Sequence, residues 1–444
     1  MKIKLISILL LLSILSCTLV SCVNEEWLQD LQQQIQDGRG HDGEDEEEND
    51  LDDDDDDDDD DKDSETSTDH IDHSAPTNFK LGVILLNDES SPYDRNFMQA
   101  ITTAASDLGL KSNQIIYQKN VPETFACYDA AVDLAEQGCN VIFANSFGHE
   151  SYLLLAAKDF PHVEFCHASG TMAHTEALDN YHNAYAAIYE GTYLAGVAAG
   201  LKLKEMMEQD HSVIPKIGYV GTYPYAEVIS SYTAYYLGVK SIVPNVTMDV
   251  QFTGCWYDPV AEKIAAMALI NGGCVILSQY SDSMGVPNLC EERNVPNVPH
   301  NTSTAAACPT TFLVSAQIDW TPYIKLICEN TMNNRAIPTD YTGTLTTGSV
   351  LLTPLGVNAA EGTQEMLDAI TIELLAGTRK VFHTFDFTVH NERLTEHWAD
   401  VDTDIAFTPD TNVISDGYFH ESEYRSAPYF DIQIDGITLL NFHY

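Results

Sequence analysis

The chain has 444 residues and a formal net charge of −47, with 68 Asp and Glu against 21 Lys and Arg. The charge is divided, residues 23–76 carrying −23 and residues 77–444 carrying −26. A surface of that sign repels phosphate backbones and excludes nucleic acid as a partner, and the stretch beyond position 76 is longer than one core usually fills, so two lobes are expected.

Met1-Lys2-Ile3-Lys4 is a positive start, and Leu5–Leu15 is an apolar run of eleven residues. That is too short to span a bilayer and reads as a signal segment covering residues 1–21. Leu19-Val20-Ser21-Cys22 resembles a bacterial lipobox, which implies cleavage before Cys22 and a diacylglycerol on its thiol; Cys17 is a second candidate. The rest of the chain is then expected on the extracytoplasmic face of the cell membrane, lipid-anchored. Residues 22–76 read as the anchor and an acidic tether. Glu25–Ile35 is a candidate short helix, and Asp52–Asp61 is an unbroken acidic run that cannot bury apolar area and predicts an extended spacer. His41, His70 and His73 beside those acids offer a weak divalent-cation scavenger as the alternative.

From Lys80 the pattern alternates. Lys80–Leu86 is a strand, and Phe97, Ile101, Ala104, Ala105 and Leu108 recur at helical spacing ahead of Gly109. Ile115–Tyr117 is a strand, Ala130–Ala135 marks a helix stopping at Gly138, Val141–Ala144 is a strand, Tyr152–Lys158 a helix and Val163–Cys166 a strand. The rhythm then restarts. Glu190–Leu203 is a helix with small residues on one side, suited to close packing, and Ile217–Gly221 a strand. Glu227–Val239 is a helix, Met248–Phe252 a strand, Pro259–Ile270 a helix and Cys274–Leu277 a strand. Trp320–Asn330 is a helix and Ser349–Leu352 a strand that return to the first lobe. Beyond about 390, Phe430–Gly436 alternates apolar and polar and predicts a strand or hairpin added to a lobe. This is an α/β pattern of parallel sheets, whose ligands sit at the carboxyl ends of strands. The predicted division is 77–188 for lobe 1 with part of 303–390, 189–302 for lobe 2 and 391–444 for a C-terminal extension packed on a lobe. Asn87, Asp88, Asp94, Asn145 and Asp282 are the post-strand polar groups that would orient a ligand.

Several post-strand segments carry a shared pattern. They are Ser91-Pro92-Tyr93-Asp94, Ile188-Tyr189-Glu190-Gly191-Thr192-Tyr193-Leu194-Ala195-Gly196, Lys216–Gly221, Leu237-Gly238-Val239-Lys240 and Gly254-Cys255-Trp256-Tyr257-Asp258-Pro259. Over about 80–380 the chain resembles the basic membrane protein family of ABC-transporter substrate-binding lipoproteins, whose best understood members bind purine nucleosides. The resemblance implies a type I periplasmic-binding-protein fold, two doubly wound parallel-sheet lobes joined by a hinge. It also implies a small-molecule ligand, ABC-transporter permease subunits as partners, a monomer, and no enzymatic activity or cofactor. Its ligand-binding aromatics fall at Tyr93 and Trp256, one from each lobe, able to sandwich a flat ring. Where the family has aspartates this chain has Ser169 and Asn301, and where it has a lysine the chain has Gln317 or Ile318. Charged groups that grip a ribose are thus replaced by neutral ones, and a nucleobase or another flat polar ligand stands beside the nucleoside.

Eight cysteines follow the signal region. Cys290–Cys308, flanking a Pro- and Asn-rich stretch, is the favoured disulfide and Cys127–Cys139 the second, although a straight helix between the latter pair would hold them too far apart. Cys166 and Cys274 read as buried thiols. The rival ligand class is a zinc or manganese ion held by His149, His167 and His300. A lipoprotein that reports to a membrane sensor instead of a permease uses the same cleft. Gly-x-Ser-x-Gly and phosphate-loop patterns are absent.

Overall fold

Short apolar runs that stay dry on both faces build the centre of the first lobe. The computed structural model describes residues 76–401 and 409–441; the signal segment, Cys22 and the acidic tether lie outside them. In chain order the first lobe runs β1 (Leu81–Ile84), α1 (Pro92–Asp107), β2 (Ile115–Gln118), α2 (Ala126–Glu136), β3 (Val141–Ala144), α3 (Glu150–Asp159), β4 (Glu164–Ala168), α4 (Ala173–Glu176) and β5 (Tyr181–Ala186). Every residue of β1 and β3 is buried.

The chain then enters the second lobe through α5 (Ile188–Gln209), β6 (Lys216–Gly221), α6 (Ala226–Ile242), β7 (Thr247–Phe252), α7 (Pro259–Asn271), β8 (Leu277–Gln279), α8 (Gly285–Arg293) and β9 (Asn297–Val298). It returns by β10 (Ala316–Ile318), α9 (Thr321–Met332) and β11 (Asp340–Gly343), and leaves again through β12 (Val350–Leu352) and α10 (Thr363–Leu375). The extension adds two small antiparallel pairs, β13 (Trp398–Ala399) with β14 (Thr411–Asn412) and β15 (Ile414–Ser415) with β16 (Tyr418–Phe419), and ends in β17 (Ile437–Leu439).

The first sheet has the order β11-β5-β4-β3-β1-β2 and the second β17-β7-β6-β8-β9, all pairs parallel. This is the expected two-lobed architecture. β10 and β12 pair antiparallel to each other at the crossing between the lobes. Gly191 in the first turn of α5 lies against that pair, since a Cβ there would be 2.9 Å from Val350 Cγ1 and 3.1 Å from Ala316 Cβ. The Glu190 carboxylate beside it accepts from Leu345 N at 2.8 Å.

The second lobe is centred on α5 and α6, which cross at Gly196 and Gly238. The backbones meet there because neither glycine has a Cβ; one on Gly238 would run into the Tyr193 carbonyl. The small-residue face read from the sequence is this crossing.

The extension belongs to the second lobe. Phe382, Phe387, Phe419 and Phe430 share a core with α5 and α6, and Phe382 stacks on Phe430 at 4.4 Å. Asp416 (φ 49°) and Gly417 (φ 85°) make the tight hairpin turn between β15 and β16. The Ser415 hydroxyl meets His420 Nε2, and His420 Nδ1 meets Glu423, each at 2.6 Å, which fastens the hairpin to the next turn. The strand predicted at Phe430–Gly436 lies a few residues on. Phe430, Ile432 and Ile434 are buried in alternation but have no strand partner, and pairing begins at Ile437 against Met248.

The predicted disulfides do not form. All eight cysteines of the described residues are free thiols. Cys290 packs into the apolar cluster between α7 and α8, and Cys308 Sγ points to Asn288 Oδ1 at 3.8 Å. Among the described residues no helix is long and apolar enough to cross a membrane.

Candidate functional site

Two of the motifs singled out in the sequence, Ser91–Asp94 and Gly254–Pro259, hold helix starts that follow strands, and their caps fix the residues beside them. Ser91 caps α1, its Oγ facing Asp94 N at 3.3 Å, with Pro92 in the first turn. Asp258 caps α7, accepting from Val260 N and Ala261 N, with Pro259 in the first turn. Tyr93 follows one cap and Trp256 precedes the other. Both line a single cleft of about 750 Å³, open mouth included, between the lobes.

Six of the nine predicted ligand-binding residues line this cleft: Tyr93, Trp256, Asn87, Ser169, Asp282 and Asn301. Ser169 and Asn301, like Asn87 and Tyr93, have a side-chain donor or acceptor engaged within the protein. Ser169 adopts φ 64° and its hydroxyl donates to the Ala168 carbonyl at 2.6 Å. Asn301 adopts φ 54° and its Oδ1 accepts from Ile318 N at 2.8 Å, which ties β10 into the crossing.

Asp94, Asn145 and Asp88 are not among the lining residues, and the reason is physical. Asp94 is wholly buried and its carboxylate accepts from Asn87 N at 3.1 Å, Asn87 Nδ2 at 3.2 Å and Asn145 Nδ2 at 2.8 Å. Asn145 in turn accepts from Leu86 N at 3.0 Å. These two residues brace the ends of β1 and β3 against the start of α1. They act on the cleft through Tyr93, whose hydroxyl donates to the Asn145 carbonyl at 2.6 Å. Asp88 closes a surface turn by accepting from Ser90 N and Oγ.

The wall also holds His300, which the sequence reading placed there, and Tyr185, Tyr280, Glu227 and Trp320, which it did not. Tyr185 in β5 and Tyr280 after β8 join the lobes through their hydroxyls, 2.6 Å apart. His300 lies against the Tyr280 ring, centroids 4.0 Å apart. Glu227 in the first turn of α6 and Trp320 before α9 complete it. Position relative to a strand end was the signal available for Glu227 and Tyr280, the rule that named Asn87 and Asp282.

Burial sets the charge of this wall. It pushes the Glu227 carboxyl up to about 7, against a hydrogen bond from Tyr185. It pushes Asp282 up to about 8, with Glu262, Asp94 and Glu227 adding repulsion. It pushes His300 down to about 4, so that imidazole is neutral. Among the described residues no lysine or arginine lines the cleft. His149 and His167, predicted to share the cleft with His300, sit deeper in lobe 1, with Nε2 on the Val121 and Ser146 carbonyls at 2.9 and 2.7 Å. Among the described residues no three His, Cys, Asp or Glu converge to hold a metal.

Raised carboxyls have a consequence for stability. Unfolded, they ionise near pH 4; folded, Glu227 and Asp282 keep protons up to about 7 and 8. Between those limits the folded state binds more protons, so stability falls as pH rises. The ligand-free protein should therefore melt at a lower temperature at pH 8 than at pH 6.5; below pH 6.5 the buried imidazole of His300, held down to about 4, works in the opposite sense. A melting temperature that rises over that interval would show that these carboxyls are ionised in the folded state.

The chain was compared with known proteins. The family model described as ABC transporter substrate-binding protein PnrA-like matches residues 82–373. A purine-binding protein of Brucella abortus is 30% identical over 207 residues, 47% of this chain and 55% of that protein. A putative ABC transporter glucose-binding protein of Haloferax volcanii is 28% identical over 241 residues, 54% of this chain and 58% of that protein. The matches thus span little more than half the length of these relatives. Among solved structures, an ABC transporter solute-binding protein of Aeropyrum pernix K1 shares the fold with a TM-score of 0.58 at 15% identity, over 68% of this chain and 93% of that one.

Proposed function

The chain belongs to the family of PnrA-like ABC transporter substrate-binding proteins, and from that premise we propose that it captures a small flat heteroaromatic solute, a purine nucleoside or a nucleobase-like molecule, outside the cytoplasmic membrane and delivers it to the permease of an ABC importer. The observation that carries this reading is the pairing of Tyr93 from one lobe with Trp256 from the other across a single cleft. Two aromatic faces that come together as the lobes close exclude water from both sides of a ring. The name of the Brucella abortus relative points the same way. Ser169 and Asn301 offer neutral groups where a ribose diol would meet carboxylates, so recognition rests on the ring more than on the sugar. The protein acts as a monomer held at the membrane by the lipid on Cys22.

Native mass spectrometry of protein purified from membranes tests the ligand, because a closed cleft retains its solute. A co-purifying flat heteroaromatic is the expected result. A hexose in its place would overturn the reading and favour the chemistry named for the Haloferax volcanii relative. The intact mass of the same sample reads the anchor, since an unmodified Cys22 would remove it.

A further inference from the structure

The cleft places two carboxyls on one wall with no cation to answer them. Glu227 enters from α6 and Asp282 from the segment after β8, and among the described residues neither a lysine nor an arginine lines the cavity. Every ionisable group that bears on them is acidic or neutral. Glu227 is faced by the Tyr185 hydroxyl from β5 and by Tyr280 beyond it. Asp282 is faced by Glu262 of α7, Asp94 of α1 and Glu227. His300, from the lobe crossing, is the other titratable ring of the wall, and burial keeps it uncharged. The aromatic residues Tyr93, Phe147, Trp256 and Tyr257 line the same cleft, the Trp256 carbonyl accepting from Asp282 N at 3.1 Å.

A neutral ring entering this cleft gives the two carboxyls no reason to ionise, since burial without a cation favours their protonated forms. A positively charged ring lets them ionise and pairs with the charge that results, because a buried charge is tolerated when it is paired. The same cation is drawn to the negative faces of the surrounding aromatics. The strongly acidic chain favours its approach over that of an anion. We infer that the solute is cationic: a flat nitrogen heterocycle bearing a positive charge, seated between Tyr93 and Trp256 with that charge against Glu227 and Asp282. The inference rests on the nucleoside-like reading above and narrows it. It also carries a proton balance. In the empty cleft these carboxyls hold protons near neutral pH, so a cation that ionises them expels protons to solvent.

Calorimetry at pH 7 decides it, with adenosine against 1-methyladenosine and cytidine against 3-methylcytidine, each pair alike in ring and sugar but for one methyl, and different in charge. Running each titration in phosphate and in Tris, whose ionisation heats differ, counts the protons. The methylated nucleosides should bind at least about tenfold tighter than their parents and release about one proton. Glu227→Gln and Asp282→Asn, checked for folding by circular dichroism, should each bring the methylated-to-parent ratio toward one. Parents binding as tightly as the cations, or binding of the cations without proton release, would overturn the inference and leave the nucleoside reading standing. N1-methylnicotinamide separates the remaining outcomes. If it binds while all four nucleosides are silent, the charge inference holds and the nucleoside is wrong; if all five are silent, both fall.

Discussion

Gly238→Ala is expected to lower the stability of the folded domain by about 2 kcal/mol or more, although alanine is the better helix former. The propensity gain on replacing a mid-helix glycine is about 1 kcal/mol. Against it stands the crossing of α5 and α6. A Cβ at position 238 would collide with the Tyr193 carbonyl and lie 2.9 Å from both Gly196 Cα and Val197 N. These are backbone atoms of a packed helix, so no side-chain rotation relieves the contact. Overpacking of a core costs roughly 1–3 kcal/mol and more where backbone must move. The helices would have to separate, and both ends of that movement matter: α5 begins at the lobe crossing beside Val350, and α6 begins with Glu227 in the cleft wall. Urea denaturation should show a lower midpoint with little change in slope. An alanine variant as stable as the parent would mean that the two helices are not held this closely.

Much of this framework was legible because its elements obey local rules. Val141–Ala144 is an apolar run bounded by turn residues, and it is a buried central strand. Ile217–Gly221 is a similar short run, and Met248–Phe252 alternates apolar and polar, the other local signal of a strand. β5 was not legible, since Tyr-His-Asn-Ala-Tyr-Ala has neither alternation nor an apolar run, yet all six residues are buried. Its polar side chains are satisfied by partners distant in sequence: His182 Nε2 meets Glu164 at 2.9 Å and Nδ1 meets the Pro338 carbonyl at 3.1 Å, while Asn183 donates to Glu150 at 3.1 Å. No window of sequence reveals such pairings. Tyr185 was missed with its strand. The same limit explains Asp94 and Asn145. A polar residue after a strand either faces the ligand or braces the loop, and the choice depends on which neighbouring strand end lies alongside.

The cysteines show a related limit. Cys290 and Cys308 bound a stretch whose composition suggests an open loop, and an exported chain permits a bridge. Yet β9 and the Asn297–Phe312 bridge run through that stretch and hold it to the sheet. The backbone is anchored there by pairing, so the constraint a disulfide would supply is already present.

Trp256→Ala should weaken ligand binding by about 1–3 kcal/mol, or roughly five- to two-hundred-fold, the range for loss of one stacking face. Trp256 belongs to the cleft more than to the core. It is half-buried and leans on Tyr223 edge to face at 5.1 Å and on Tyr225 at 6.2 Å, and Tyr225 faces Phe147 of the opposite lobe at 6.3 Å. Removing the indole thus takes away a ring face and loosens the aromatic rim that the lobes share. The unliganded fold should survive, since neither α7 nor its Asp258 cap depends on the indole. Tyr93→Phe should divide differently. The ring stays, so affinity should change only a few-fold, but the hydroxyl that donates to the Asn145 carbonyl is lost, at about 1 kcal/mol of stability. Titrations with the solute identified by mass spectrometry, paired with denaturation of both variants, separate these effects. Ligand binding should also change tryptophan emission, because two of the four tryptophans in the chain, Trp256 and Trp320, line the cleft. If Trp256→Ala binds that solute as tightly as the parent, the ring is not held between Tyr93 and Trp256. The aromatic rim would then serve to close the cleft, and recognition would pass to the polar wall of Tyr185, Glu227, Tyr280 and Asp282.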